Sequence, residues 1–136
     1  MIRSIKQNGV KKLDLQEYES ANYFDQSIMD YKHGSSRMRD RLPEVAQGYF
    51  NFTDACFKTG AIDQKQKQLT ALAISICTQN EYCIMYHTKA AVDAGASEAE
   101  FMEMVAVSAA LGGGAAFAQG VTLAMDTFDH YQHPAH

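Results

Sequence analysis

Residues 79–95 read Gln79-Asn80-Glu81-Tyr82-Cys83-Ile84-Met85-Tyr86-His87-Thr88-Lys89-Ala90-Ala91-Val92-Asp93-Ala94-Gly95. The stretch spells a helix with both ends marked. Asn80 is a favoured N-cap, Glu81 suits the positive end of the helix dipole, and Gly95 supplies a left-handed stop. With Asn80 as cap, Cys83 is the third helical residue, where unpaired backbone N–H groups favour a thiolate. His87 follows four residues later, on the same face and one turn along. A thiol, a base and a helix start are the parts of an activated nucleophile. The same two residues also suit a small buried thiol and a structural imidazole.

Working outward, helical spacing continues in both directions. Asp63-Gln64-Lys65-Gln66 is a start signal for a helix that presents Leu69, Leu72, Ala73 and Ile76 and runs to about Gln79. Ser97-Glu98-Ala99-Glu100 is a capping box for a helix carrying Phe101, Met104, Val105 and Ser108 on one face. Gly112-Gly113-Gly114 breaks that helix, and another is expected over residues 115–131. Upstream, Asp14 caps a helix expected through Tyr31, with Tyr18, Ala21, Phe24, Ile28 and Tyr31 at helical spacing and Gly34-Ser35-Ser36 as its stop. Arg37, Arg39 and Arg41 form a basic stretch, read as a solvated connector or a dock for an acidic partner. Pro43 suits the first turn of a helix bearing Val45, Tyr49, Phe52 and Cys56 that stops near Gly60. No strand pattern is present, so the chain is expected to be all-α, a single domain over residues 1–136 with a loose arm over 1–12 and a tail over 132–136.

This arrangement resembles the AhpD-like, or carboxymuconolactone decarboxylase, family of small helical proteins. The resemblance spans about the C-terminal two thirds of the chain. It is carried by Lys67-Gln68-Leu69-Thr70-Ala71-Leu72-Ala73-Ile74-Ser75, by Asn80-Glu81-Tyr82-Cys83 with His87, by residues 94–101 and by Leu111-Gly112-Gly113-Gly114. It implies a compact domain of about six helices that assembles into trimers or hexamers. Redox-active members carry Cys-x-x-Cys-x-x-x-His, with a Glu twelve residues before the first Cys. Here the second Cys and the His stand as Cys83 and His87, while Asn80 replaces the first Cys and Gln68 the Glu. In those members the pair resembles a peroxide-attacking thiol and its base, and the first Cys closes a disulfide. Asn80 has no sulfur, so sulfenic acid formed at Cys83 needs an external thiol or another Cys of this chain for its resolution.

Composition narrows the remaining choices. Residues 1–67 hold 11 of the 12 Lys and Arg against nine acids, and residues 68–136 hold one Lys against seven acids. Neither part has the clustered basic face of a nucleic-acid binder. Three Cys in no framework spacing, and an N-terminus without an apolar run, point to a reducing cytoplasm. Residues 104–125 carry no charged side chain and are long enough to span a bilayer. Yet the glycine triplet interrupts them, and Ser108, Gln119 and Thr122 punctuate them. A buried helix pair covered by a neighbouring subunit is the expected alternative to a membrane span. His130, His133 and His136 are spaced by three, but Pro134 breaks the helix there, so no metal site is expected. The glycine triplet lacks a phosphate-loop context, and no cofactor is expected.

The candidate site is therefore Cys83 and His87, supported by Gln68, Asn80 and Tyr86. Tyr86 is read as a hydrogen-bond donor to substrate or as an aromatic contact between subunits. Cys56 and Cys77 are expected to be buried, and Met85, Met102 and Met104 to fill the core. Three functions fit these residues. The first is a one-cysteine, peroxiredoxin-like peroxidase that uses an external thiol. The second is a decarboxylase-branch enzyme in which His87 moves a proton on a small cyclic acid, although Lys89 is the only Lys or Arg after Lys67. The third is a non-catalytic oligomeric binding module.

Overall fold

The computed structural model describes residues 14–134, and no strand occurs among them. The expected arm over residues 1–12 and the last two residues of the expected tail, including His136, lie outside the described residues. The α-helices are α1 (Leu15–Ser20), α2 (Tyr23–Arg41), α3 (Pro43–Phe57), α4 (Gln64–Thr78), α5 (Glu81–Asp93), α6 (Glu98–Gln119) and α7 (Met125–Gln132). A π-helical turn, Gly120–Ala124, joins α6 to α7. The chain divides into two compact units, one ending at Cys56 and the other beginning at Phe57.

In the first unit the helix expected from Asp14 to Tyr31 is two helices. Asp14 caps α1 through its side chain, as its type requires. The chain then turns extended at Ala21 and Asn22, and the Asn22 side chain accepts the Asp25 N–H to start α2. The Gln26 amide donates back to the carbonyls of Tyr18 and Ala21, at 2.8 and 3.0 Å, and so fastens the two helices at the break. Gly34-Ser35-Ser36 does not stop α2. Glycine within a helix costs about 1 kcal/mol relative to Ala, which a nineteen-residue helix can absorb. The arginines are consequently not a connector. Arg39 and Arg41 end α2, where cations favour the helix dipole, and the Arg39 guanidinium lies 4.3 Å from the Phe50 ring centre.

The second unit carries the candidate site. Asp63 caps α4 by accepting the Gln66 N–H at 2.8 Å, and α4 ends on Gln79 in the left-handed region at φ 57°. Asn80 caps α5, and the Ser97–Glu100 capping box opens α6 as its spacing predicts. Glu100 also pairs with Lys65 at 2.8 Å, tying the first turn of α6 to the first turn of α4. Helix α4 packs against α5 and α6, and α5 against α7. Leu72 and Ile76 of α4, Ile84 of α5, Phe101, Val105 and Ala116 of α6, Ala124 of the π turn and Phe128 of α7 form one core. The rings of Phe101 and Phe128 stack at its centre, 4.6 Å apart.

The glycine triplet acts at one residue. Gly113 has φ 73° and ψ −158°, a conformation open to glycine, and it kinks α6. The run Glu98–Gln132 is apolar and long enough to cross a membrane by length and composition alone. Its kink and its share of the core fit a packed helix, yet much of its surface is uncovered in one chain: Leu111 is 87% exposed.

Candidate active site

The candidate site runs along α5 from its first turn to its middle, where Gln68 reaches it from the first half of α4. Asn80 stands in an extended conformation, and its side-chain oxygen accepts the Cys83 N–H at 3.0 Å. The residue that occupies the first-cysteine position is thus the helix cap. Cys83 lies in the first turn with its thiol half-buried. Burial pushes that thiol above its ordinary pKa. Sequence position alone favours a thiolate here, but its own N–H is taken by Asn80 and burial pushes the thiol the other way. The resting group is a neutral thiol.

His87 is one turn further along α5 and also half-buried. Burial lowers its pKa, so the imidazole is neutral at neutral pH. Its Nδ1 is 2.8 Å from Oε1 of Gln68, which is 8% exposed. A carbonyl oxygen can only accept, so Nδ1 carries the hydrogen and Nε2 presents its lone pair. Gln68 therefore orients the ring as a carboxylate would, without adding a charge. Among the described residues no hydrogen bond joins the Cys83 thiol to the His87 ring. The two share a helix face and remain separate groups at rest.

Two rings complete the surroundings of His87. Phe57 stacks on the imidazole, with centroids 5.5 Å apart and planes 19° apart. Tyr86 meets it edge-on at 5.2 Å and 87°. Tyr86 is 40% exposed, so it also has a face available to a substrate or a neighbouring subunit. Phe57 is the residue that sequence reasoning missed. No local pattern marks it, because the contact spans thirty residues of chain. The only hint was that an aromatic residue sits just before a loop leading into α4.

Other expected residues fall elsewhere. Cys56 and Cys77 are exposed and not buried as their type suggests. Cys77 faces α6, where its Sγ donates to the Ser108 carbonyl at 3.6 Å, and a Cβ on Gly112 would lie 3.0 Å from that sulfur. Met85 is buried and Met104 packs against the core, but Met102 is 38% exposed and does not fill it. Lys89 is engaged by Asp93 at 2.6 Å and sits 5.5 Å from the Tyr131 ring. Among the described residues no group of His, Cys, Asp and Glu is placed to hold a metal ion.

A helical hairpin that presents a half-buried thiol and an oriented imidazole on one face gives a small all-α protein with a candidate thiol–histidine site. The family model described as the carboxymuconolactone decarboxylase family matches residues 43–126, and the chain belongs to that family. A curated relative from Paracoccus denitrificans, an uncharacterized protein of the cox locus, is 35% identical over 74 residues, covering 54% of this chain and 67% of its own. A carboxymuconolactone decarboxylase family protein from Legionella pneumophila superposes with a TM-score of 0.78 at 26% identity, covering 82% of this chain and 99% of that one. A Thermotoga maritima family member, for which a part in an antioxidative response has been suggested, matches with a TM-score of 0.65 at 23% identity. That match covers 76% and 91% of the two chains.

Proposed function

We propose that this protein is a one-cysteine, peroxidase-like oxidoreductase in which Cys83 is the nucleophile and His87 its base. The observation that carries the reading is the Gln68–His87 hydrogen bond. It leaves Nε2 unprotonated on the helix face that Cys83 shares. A neutral thiol beside a neutral imidazole calls for proton transfer during attack. The Cys83 sulfur attacks the outer oxygen of a hydroperoxide while Nε2 takes the thiol proton. The O–O bond breaks, and that proton passes to the departing alkoxide. Cys83 ends as sulfenic acid and the peroxide as an alcohol, with two electrons moved from sulfur to oxygen. An external thiol then condenses with the sulfenic acid, releasing water and forming a mixed disulfide. A second thiol cleaves that disulfide and restores Cys83. Asn80 takes no part beyond holding the helix start.

The decarboxylase-branch reading draws little support from the charges. Lys89 and Lys65 are both paired with acids, which leaves neither committed to a substrate carboxylate. The non-catalytic reading is favoured by one observation, the upward push of burial on the Cys83 thiol. The uncovered surface of α6 fits a homo-oligomer in either case.

Brief treatment with an organic hydroperoxide, followed by dimedone trapping and mass mapping, tests the proposal. Sulfenic acid is expected first at Cys83, although Cys56 and Cys77 are the more exposed thiols. His87→Ala is expected to slow the step by about 10²-fold or more. Labelling confined to Cys56 and Cys77, or equal at all three, refutes it in favour of the non-catalytic module.

A further inference from the structure

His87 is held from three directions, by the Gln68 amide, the Phe57 ring and the edge of Tyr86. A hydrogen bond at Nδ1, with the covalent link through Cβ, fixes one edge of the ring but leaves its plane able to rock about χ2. A parallel ring against its face removes that freedom, because tilting would break the stack. Phe57 occupies that position, 19° from parallel. Phe57 is itself tied down. The carbonyl of the next residue, Lys58, accepts from Lys67 Nζ at 2.5 Å, and Lys67 directly precedes Gln68 in α4. The Gly60 N–H donates to the Ile62 carbonyl at 3.1 Å and closes the short connection between them. One turn of α4 thus anchors the imidazole through Gln68 and the stacking ring through Lys67.

We infer that Phe57 is a positioning residue: stacked on His87 and anchored through Lys58 and Lys67, it locks the imidazole so that Nε2 is the ring atom offered at the Cys83 site. The inference rests on the peroxidase reading only for what Nε2 does, and not for how the ring is held. A residue that merely filled space would affect stability without selecting a tautomer. Stacking strength of the ordinary size biases the locked arrangement by roughly two- to tenfold.

The test is nitrogen-15 NMR of histidine-labelled full-length protein, which reads the hydrogen on Nδ1 or Nε2 directly. The native protein and Phe57→Tyr are expected to hold the Nδ1–H form. Phe57→Leu is expected to shift the ratio toward Nε2–H by roughly two- to tenfold, and to slow peroxide oxidation of Cys83 by a similar factor. Lys67→Met, which keeps every aromatic residue but releases Lys58 and with it the Phe57 ring, is expected to shift the ratio in the same direction and carries the test should Phe57→Leu not fold. A folded Phe57→Leu or Lys67→Met protein with the native tautomer ratio overturns the inference. A shifted ratio in a protein that never oxidises Cys83 upholds the positioning role and removes the peroxidase reading instead.

Discussion

Replacing Gln68 with Glu changes one atom pair at the centre of the site. The native amide oxygen accepts from His87 Nδ1 at 2.8 Å and carries no net charge. A carboxylate there places a negative charge about 4 Å from an imidazolium. At the effective dielectric of a partly buried site, about 20, that attraction is about 4 kcal/mol before desolvation. The side chain at position 68 is almost fully buried, so much of this is spent keeping the carboxylate ionised. A net gain of at least ~1.4 kcal/mol, tenfold in proton affinity, is the expected remainder. His87 is therefore expected to move upward from its depressed value, read by NMR titration of its ring protons. A rise past about 6.5 reverses the pH dependence of stability. In the native protein the His87 contribution is complete above about pH 6.5 and is lost as pH falls toward the depressed folded value. In Gln68→Glu the pair stabilises the fold below that pH, and the contribution is lost as pH rises through the raised value. An unmoved or lowered His87 midpoint in a folded variant refutes the contact, and with it the tautomer on which the mechanism stands.

Further consequences follow from the same geometry. Iodoacetamide should alkylate Cys83 slowly at pH 7 and increasingly above about pH 9, because burial raises its thiol; a rate already saturated at pH 7 contradicts the neutral resting state. Asn80→Cys combined with Gln68→Glu should form an 80–83 disulfide and gain turnover with a dithiol reductant, at a loss of about 1 kcal/mol of capping; no disulfide under mild oxidation defeats the alignment of Asn80 with the missing cysteine. Gly113→Ala should destabilise the chain by about 1–3 kcal/mol, since Ala must adopt φ 73°, and an unchanged melting temperature counts against the kink. Leu111→Glu should lower the association state seen by equilibrium sedimentation if the bare face of α6 meets a second copy; an unaltered oligomer places the interface elsewhere.

Sequence alone determined the elements whose causes are local. Asp63, Asn80 and the Ser97–Glu100 box each start a helix by satisfying N–H groups within three residues, and Gly95 and Gly113 permit positive φ unaided. The placement of Cys83 and His87 on one face of α5 is of the same kind, fixed by a spacing of four. The second half of the chain was legible for that reason. Near the N-terminus the signals competed. Asn22 proved a stronger punctuation than Gly34, because a side-chain cap and the Gln26 bonds hold the break, whereas a helical glycine carries only a modest penalty.

Tertiary structure decided the chemistry. The protonation of Cys83 depends on how much water the fold removes, which no spacing encodes, and burial acts against the helix start. The free nitrogen of His87 was chosen by Gln68 from another helix, and its ring plane by Phe57, thirty residues away. Exposure of Cys56 and Cys77 was likewise a matter of which faces the chain leaves open, and residue type pointed the wrong way. Local rules select where a helix starts because their partners are neighbours in the chain; the state of a thiol and an imidazole is set by neighbours in space.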